Sequence, residues 1–369
     1  MNLSFRYIMK LSYLLIIMGL ALPACAQDLG KQTADSLNAT QVVETDDSTF
    51  TLIAVGDIMM GTNFPDASYL PPAGTYLLDP MKALLKSGDV TFGNLEGTLL
   101  NEGGNLKSCS DWTKCYAFRQ PEYFASEIKD AGFDILSVAN NHLGDFGDVG
   151  RKNTMKVLDE HGFTYAGQET KPWDTLTVNG LLIGFTAFAP NTGCLRITDY
   201  KQAKEIISKL NDFCDVVIVS FHGGAEGSSK THVTRKTEIF YGEDRGNVYE
   251  FARMAIDNGA DVVLGHGPHV TRAIDHYKGR FITYSMGNFN TYGRFNLNGV
   301  SGMAPVFKLK LKKDGAFVAG EVISIKQLGK GGPILDENNG ALEQIKSLTK
   351  TDIPELKVKY GEGNKFTFE

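Results

Sequence analysis

Seven short apolar runs punctuate this chain: "FTLIAV", "DVTF", "DILSVA", "LLIGFTAF", "DVVIVS", "DVVL" and "RFITYS". They are rich in Val and Ile and nearly continuous, where a strand with one face in water would alternate. Such strands are covered on both faces, so the chain needs sheets with further layers over them. Between the runs lie segments with helical period. In "NVYEFARMAIDNG", Val248, Phe251, Ala252, Ala255 and Ile256 share one face and Gly259 ends the element. "PEYFASEIKDAG" and "NTMKVLDEHG" have the same shape. Strand–helix alternation predicts an α/β fold. After Ala304, "PVFKLKLKKDGAFVAGEVISI" reads as a hairpin around Lys313, Asp314 and Gly315, and a helix over about 340–349 completes the domain.

Five of the runs end alike. "FTLIAV" leads into Gly56-Asp57, "DVTF" into Gly93-Asn94-Leu95-Glu96, and "DILSVA" into Asn140-Asn141-His142. "DVVIVS" leads into Phe221-His222-Gly223-Gly224, and "DVVL" into Gly265-His266-Gly267-Pro268-His269. In an open α/β sheet the carboxyl ends of the strands share one edge, where ligands bind. Carboxylates, an amide oxygen and imidazoles are the donors of a divalent-metal site, and they suit manganese, zinc or iron about equally. Read singly, an Asp after a strand is an ordinary turn or cap residue. Four of the chain's seven histidines at such ends is a different matter.

The 369 residues carry a net charge of -6, which leaves no basic footprint for nucleic acid. Residues 1–26 read as a signal peptide: Arg6 and Lys10 precede the apolar "LSYLLIIMGLAL" and the small-residue "PACAQ". Cleavage after Ala26 would free the protein. Lipidation at Cys25 would anchor it. Both routes export it to the periplasm or cell envelope. Residues 27–48 are polar and aperiodic and read as a disordered tether, leaving 49–369 as the folded domain. Export permits disulfides, and Cys109 and Cys115 lie close enough in "SCSDWTKC" to bridge. No cysteine spacing reads as a zinc site.

With those residues in view, the sequence resembles the bacterial capsule-synthesis CapA, or poly-γ-glutamate synthesis, family within the calcineurin-like metallophosphatase superfamily. The matching motifs are "GDIMMG", "FGNLEG", "SVANNHLGDFG", "VSFHGGAEG", "GADVVLGHGPHV" and "YSMGNF", in order from Asp57 to Phe289. The resemblance implies a four-layered α/β/β/α sandwich with metal at the strand ends. It implies that Asp57, Glu96, Asn141, His222, His266 and His269 ligate metal, and that His142 acts as general acid or stabilises developing charge. Two departures bear on the metal count. Met59 stands where the superfamily has a histidine, and a thioether is a poor ligand for a hard cation. The last motif, His266-Gly267-Pro268-His269, is one residue longer than His-x-His. The expectation is therefore one or two divalent ions.

Further candidates surround these motifs. Glu226, four residues after His222, is a candidate base or a partner that orients an imidazole. Asp145 would orient His142. Arg235 and Arg245, in a long polar insertion, would hold a phosphate or polymer carboxylate. Asn288 is a candidate support residue, and "GGNLKSCSDWTKCYAFR" a candidate lid. Two functions fit. One is a metal-dependent hydrolase, cleaving a phosphoester or γ-glutamyl bond of an anionic polymer or a phosphorylated small molecule. The other is a non-catalytic scaffold that binds an anionic cell-surface polymer alongside membrane partners of capsule synthesis.

Overall fold

A computed structural model describes residues 48–109, 111 and 115–369. The expected leader, and all of the expected tether except Ser48, lie outside the described residues. Among the described residues no helix is long and apolar enough to cross a membrane.

Two sheets face each other across the main core. The first runs in the order Val358–Tyr360, Lys365–Phe368, Phe317–Gln327, Met303–Lys312, Thr49–Met59, Val90–Leu95, Ile135–Ser137 and Thr164–Ala166. Asn288–Thr291 pairs in parallel with the end of Thr49–Met59. The second sheet runs Ile274–Tyr277, Arg280–Thr283, Val262–His266, Val216–His222, Leu181–Phe188 and Trp173–Val178. The inner strands of each sheet are parallel, so their carboxyl ends share an edge.

Successive side chains on these strands enter different layers. Leu52 and Ala54 point into the core between the sheets, with Phe92, Ile183, Phe185, Val216, Ile218, Val262, Leu264, Phe307 and Leu309. Ile53 and Val55 point outward, against Phe124, Ile128 and Leu158 of helices Phe124–Ala131 and Gly147–Glu160. In the second sheet Val217, Val219 and Val263 point outward, against Ile207 and Leu210 of Tyr200–Asn211 and Phe251 and Ala255 of Val248–Asp257. The order is helix, sheet, sheet, helix: the four-layered sandwich. Both faces of each central strand are dry, and each fully buried aliphatic side chain contributes about 1.5–3 kcal/mol.

Two edges differ from expectation. The helix Gly340–Asp352 does not close the fold, because Val358–Tyr360 and Lys365–Phe368 follow and extend the first sheet. Trp173–Val178 is a strand despite a half-exposed, mixed sequence, since its pairing with Leu181–Phe188 supplies what the pattern lacks. Cys109 and Cys115 form a disulfide, with a Cα–Cα distance of 6.4 Å.

Candidate metal centre

The two sheets bring their strand ends together at one place. Asp57, on the last turn of pleat in Thr49–Met59, lies in register with Asn94 on one side and Asn288 on the other. His266 and His222 are register partners at the ends of adjacent parallel strands in the other sheet. Both crossings need glycine. A Cβ on Gly56 would collide with the Gly287 carbonyl, and one on Gly267, whose φ is +114°, would meet the Gly223 backbone at 2.7 Å.

Asp57 is fully buried and its oxygens are shared. Asn94 Nδ2 donates to Oδ1 at 2.8 Å, and His269 Nδ1 lies 2.9 Å from Oδ2. His266 Nδ1 is 3.3 Å from Oδ1. Burial alone would raise this carboxyl. Hydrogen bonding and charge from His266 and His269 outweigh burial and hold it well below the usual carboxylate range. Glu96 takes the opposite course: burial pushes it well above its ordinary value, although His269 pulls it down. For His269, burial opposes the charge, but Glu96 and the bond to Asp57 push it up to about 10. Burial lowers His222 well below its usual value, with the Arg245 charge adding to the effect.

The donors left without hydrogen-bond partners mark the centre. Both carboxylate oxygens of Glu96, both ring nitrogens of His222, Nε2 of His266 and Oδ1 of Asn141 are buried with no hydrogen bond. Donor atoms of Asp57, Glu96 and His222 lie within 4.8 Å of one another. His269 Nε2 is 3.5 Å from Glu96 Oε1. Burying unpaired polar atoms costs about 1–3 kcal/mol each, and more for a charge. A cluster of carboxylate and imidazole atoms aimed at one point is what a divalent ion requires. The residues present fit such an ion. His269 sits at φ +56°, a strained backbone for a non-glycine residue, and Asn288 Nδ2 secures its carbonyl at 3.2 Å.

His142 stands beside the cluster. Its Nδ1 is 2.8 Å from Asp145 Oδ2, and its Nε2 faces Glu96 Oε1 at 3.8 Å. Burial lowers its pKa, and Asp145 partly restores it. Asp145 is held in turn by Lys107 Nζ at 2.6 Å and by the Phe118 backbone N–H at 2.7 Å. Phe118 also lays its ring on His142, with centroids 4.1 Å apart. Asn140 braces the turn: its Oδ1 accepts from the N–H groups of His142 and Leu143, both at 3.1 Å.

A cavity of about 730 Å³ opens over this edge, lined in part by Asn141, His142, Glu226, Arg245, His269 and Asn288. Glu226 pairs with Arg245 at 2.8 Å, so it orients a guanidinium where an imidazole was expected. Arg235 departs from its expected place as a substrate residue. Its guanidinium is spent on Glu355 at 2.7 Å and on the Asp352 carbonyl, away from the cavity. The expected lid contributes Lys107, Cys115, Tyr116 and Phe118 to the lining.

Sequence reading reached Asp145 and Asn288 but missed two other residues that act through their neighbours. Arg272 is fully buried and makes a two-pronged bond to Glu238, 2.9 Å on each side, behind the His222 loop. Gln120 clasps the Glu96 carbonyl and the Met60 N–H. Neither carries a local signal, since each meets its partner only in the folded state.

Comparisons with known proteins give the family of this chain. A family profile described as "Bacterial capsule synthesis protein PGA_cap" matches residues 51–292, about two thirds of the chain. "Capsule biosynthesis protein CapA" of Bacillus anthracis is 31% identical over 260 residues, covering 65% of this chain and 59% of that protein. "PGA biosynthesis protein CapA" of Bacillus subtilis (strain 168) is 28% identical over 251 residues, covering 64% of this chain and 61% of that protein. The match thus spans about three fifths of these relatives' length. Among solved structures, the Haemophilus influenzae NAD nucleotidase aligns with a TM-score of 0.41 at 12% identity, covering 81% of this chain and 56% of that one. A purple acid phosphatase from yellow lupin seeds aligns at 0.37 and 10%, covering 80% and 55%.

Proposed function

The chain belongs to the bacterial capsule synthesis PGA_cap family, and from that premise we propose that it is an exported envelope protein with a divalent-metal hydrolase site. On this reading it acts in the synthesis or processing of an anionic cell-surface polymer. Asp57, Glu96 and His222 hold the ion, with His266, His269 and Asn141 completing the donor set. One observation carries the proposal: Glu96 and His222 are fully buried and none of their polar side-chain atoms has a hydrogen-bond partner. A bound divalent ion polarises an acyl or phosphoryl oxygen and makes water a stronger acid.

The chain's own residues supply the rest. Asp145 accepts from His142 Nδ1–H, which leaves Nε2 facing the site as the atom that takes or gives a proton. Phe118 covers the outer face of that imidazole and keeps water from it. Arg245, 2% exposed and fixed between Glu226 and Glu243, forms a rigid wall of the cavity. In the second reading, the same centre grips the polymer through an ion without turnover. Met59 favours it: the side chain is buried and its sulfur accepts the Gly61 N–H at 3.3 Å, so no imidazole serves a second ion there.

The test is metal content of the purified protein beside His222→Ala and His269→Ala, with hydrolysis of a phosphoester and of a γ-glutamyl oligomer measured in parallel. Metal and turnover in the wild type, lost in both variants, are the expected result. Metal without turnover on either substrate selects the scaffold. No metal after incubation with manganese or zinc overturns both.

A further inference from the structure

The walls of the cavity carry more information than its floor. Two groups of rings line the cavity: Tyr116, Phe118 and Phe295, and, at the tip of a short hairpin, Phe240 and Tyr241. Phe118 stacks on Phe295 with centroids 5.1 Å apart, and Phe295 meets His269 edge-on at 5.1 Å. Phe240 and Tyr241 pack together at 4.4 Å, yet Tyr241 is 81% exposed. Exposed aromatic area of this kind marks an interaction site when it is held in place.

This hairpin is held in place. Arg245 N donates to the Glu238 carbonyl at 2.8 Å, and Glu238 N to Gly246 at 3.0 Å. Glu238 is itself clamped by the buried Arg272. The base of the hairpin is thus fixed on a buried ion pair, and Phe240 packs against Tyr241 at its tip.

Charge around the same cavity is mostly spoken for. Among the described residues, the lining lysine and arginine side chains are Lys107, Arg245 and Arg294. Lys107 is tied to Asp145, and Arg245 lies between Glu226 and Glu243. Arg294 lies over the rings of Tyr69 and Tyr116, at 4.5 and 4.9 Å. An extended acyclic polyanion would require several open cations, and among the described residues Arg294 is the one lining cation without a carboxylate partner. Aromatic faces instead reward a flat or apolar ring surface, through stacking and desolvation.

We propose that this cavity is a ring-recognition site, taking an anionic group carried on a ring with an apolar face, such as a sugar phosphate or a nucleotide. The ring lies among Tyr116, Phe295, Phe240 and Tyr241, and the anionic group points down to the strand ends. Only that orientation rests on reading the centre as a metal site; the recognition of the ring does not.

The experiment is isothermal titration of the full protein with four probes: N-acetylglucosamine 1-phosphate, adenosine 5′-monophosphate, glycerol 3-phosphate and tri-γ-glutamate. Bound metal is quantified in the same preparation. At least one ring-bearing phosphate should bind roughly tenfold or more tightly than glycerol 3-phosphate, the scale of one good stacking contact. Tyr241→Ala and Phe295→Ala should each erase most of that advantage while leaving glycerol 3-phosphate unchanged. Tyr241 is too exposed for its loss to unfold the protein. Which ring phosphate binds more tightly identifies the source as saccharide or nucleotide. Equal affinities for ring-bearing and acyclic phosphates, an advantage that survives both substitutions, or tightest binding of tri-γ-glutamate would each overturn the proposal. A ring preference in protein that takes up no metal after incubation with manganese or zinc would refute the metal-site reading and leave this one intact.

Discussion

Replacing Glu96 by Gln should stabilise metal-free protein and remove most of the stability that metal adds. Glu96 is fully buried, and neither carboxylate oxygen has a hydrogen-bond partner. In metal-free protein that arrangement is a liability. A neutral amide of the same shape avoids the extra desolvation of a carboxylate, which recovers about 1–3 kcal/mol. With the ion bound that advantage is largely or wholly offset, since the amide is a weaker ligand. Wild type at a metal concentration one hundred times its Kd gains about 2.7 kcal/mol by linkage. For a domain of this size 1 kcal/mol shifts Tm by about 2 °C. Thermal unfolding in chelator should therefore place Glu96→Gln about 2–6 °C above wild type. Added manganese should raise wild type by about 5 °C and the variant by much less. If the variant is the less stable protein in chelator, Glu96 is serving the fold and not an ion. If it gains as much from manganese as wild type does, Glu96 is not a ligand. Either result refutes the reasoning.

Three further perturbations reach the scaffold of the two sheets. Burial pushes the Asp261 carboxyl up to about 6 from an ordinary 3.8, although it accepts from Val217 N–H and lies near Arg280. The folded state therefore holds this proton more tightly than the unfolded chain; the stability it contributes is complete below about pH 4 and is lost as pH rises through about 6. Urea midpoints between pH 4 and 7 should show wild type losing about 2–3 kcal/mol relative to Asp261→Asn over that range; parallel curves would contradict it. Arg272→Ala leaves Glu238 buried without its two-pronged partner and should cost about 3–5 kcal/mol in chemical unfolding; a loss under 1 kcal/mol would mean the pair is not clamping the His222 loop. Gly56→Ala drives a methyl group into the Gly287 carbonyl and should destabilise by at least about 1–3 kcal/mol while lowering bound metal, since Asp57 follows directly; an unchanged Tm and metal content would show that the strand crossing tolerates a methyl group.

Much of the centre was legible in the chain because its residues stand where strands stop. A strand buried on both faces must be apolar, so a polar residue at its carboxyl end is conspicuous, and Asp57, Glu96, Asn141, His222, His266 and His269 were all visible this way. The seven apolar runs likewise located the inner strands of both sheets, because double burial leaves its mark on every residue of the run. Where burial is one-sided that mark fades: Trp173–Val178 and the last two strands at the edge of the first sheet have no such run. Glu226 and Arg235 show the second limit. Both looked equally suited to the site as charged loop residues, yet one lines the cavity and the other is bound to Glu355, a residue 120 positions away.

Composition and order along the chain thus determined the layers, the donor types and the edge on which they gather. Tertiary structure alone decided which donors lack partners, because satisfaction of a buried polar atom depends on neighbours from distant segments. It also decided that Lys107 and Phe118 secure His142 through Asp145, that Arg272 clamps the hairpin through Glu238, and that five aromatic rings line one cavity. Those are contacts across long sequence separations, set by how two sheets stack and where their loops return, and no local pattern encodes them.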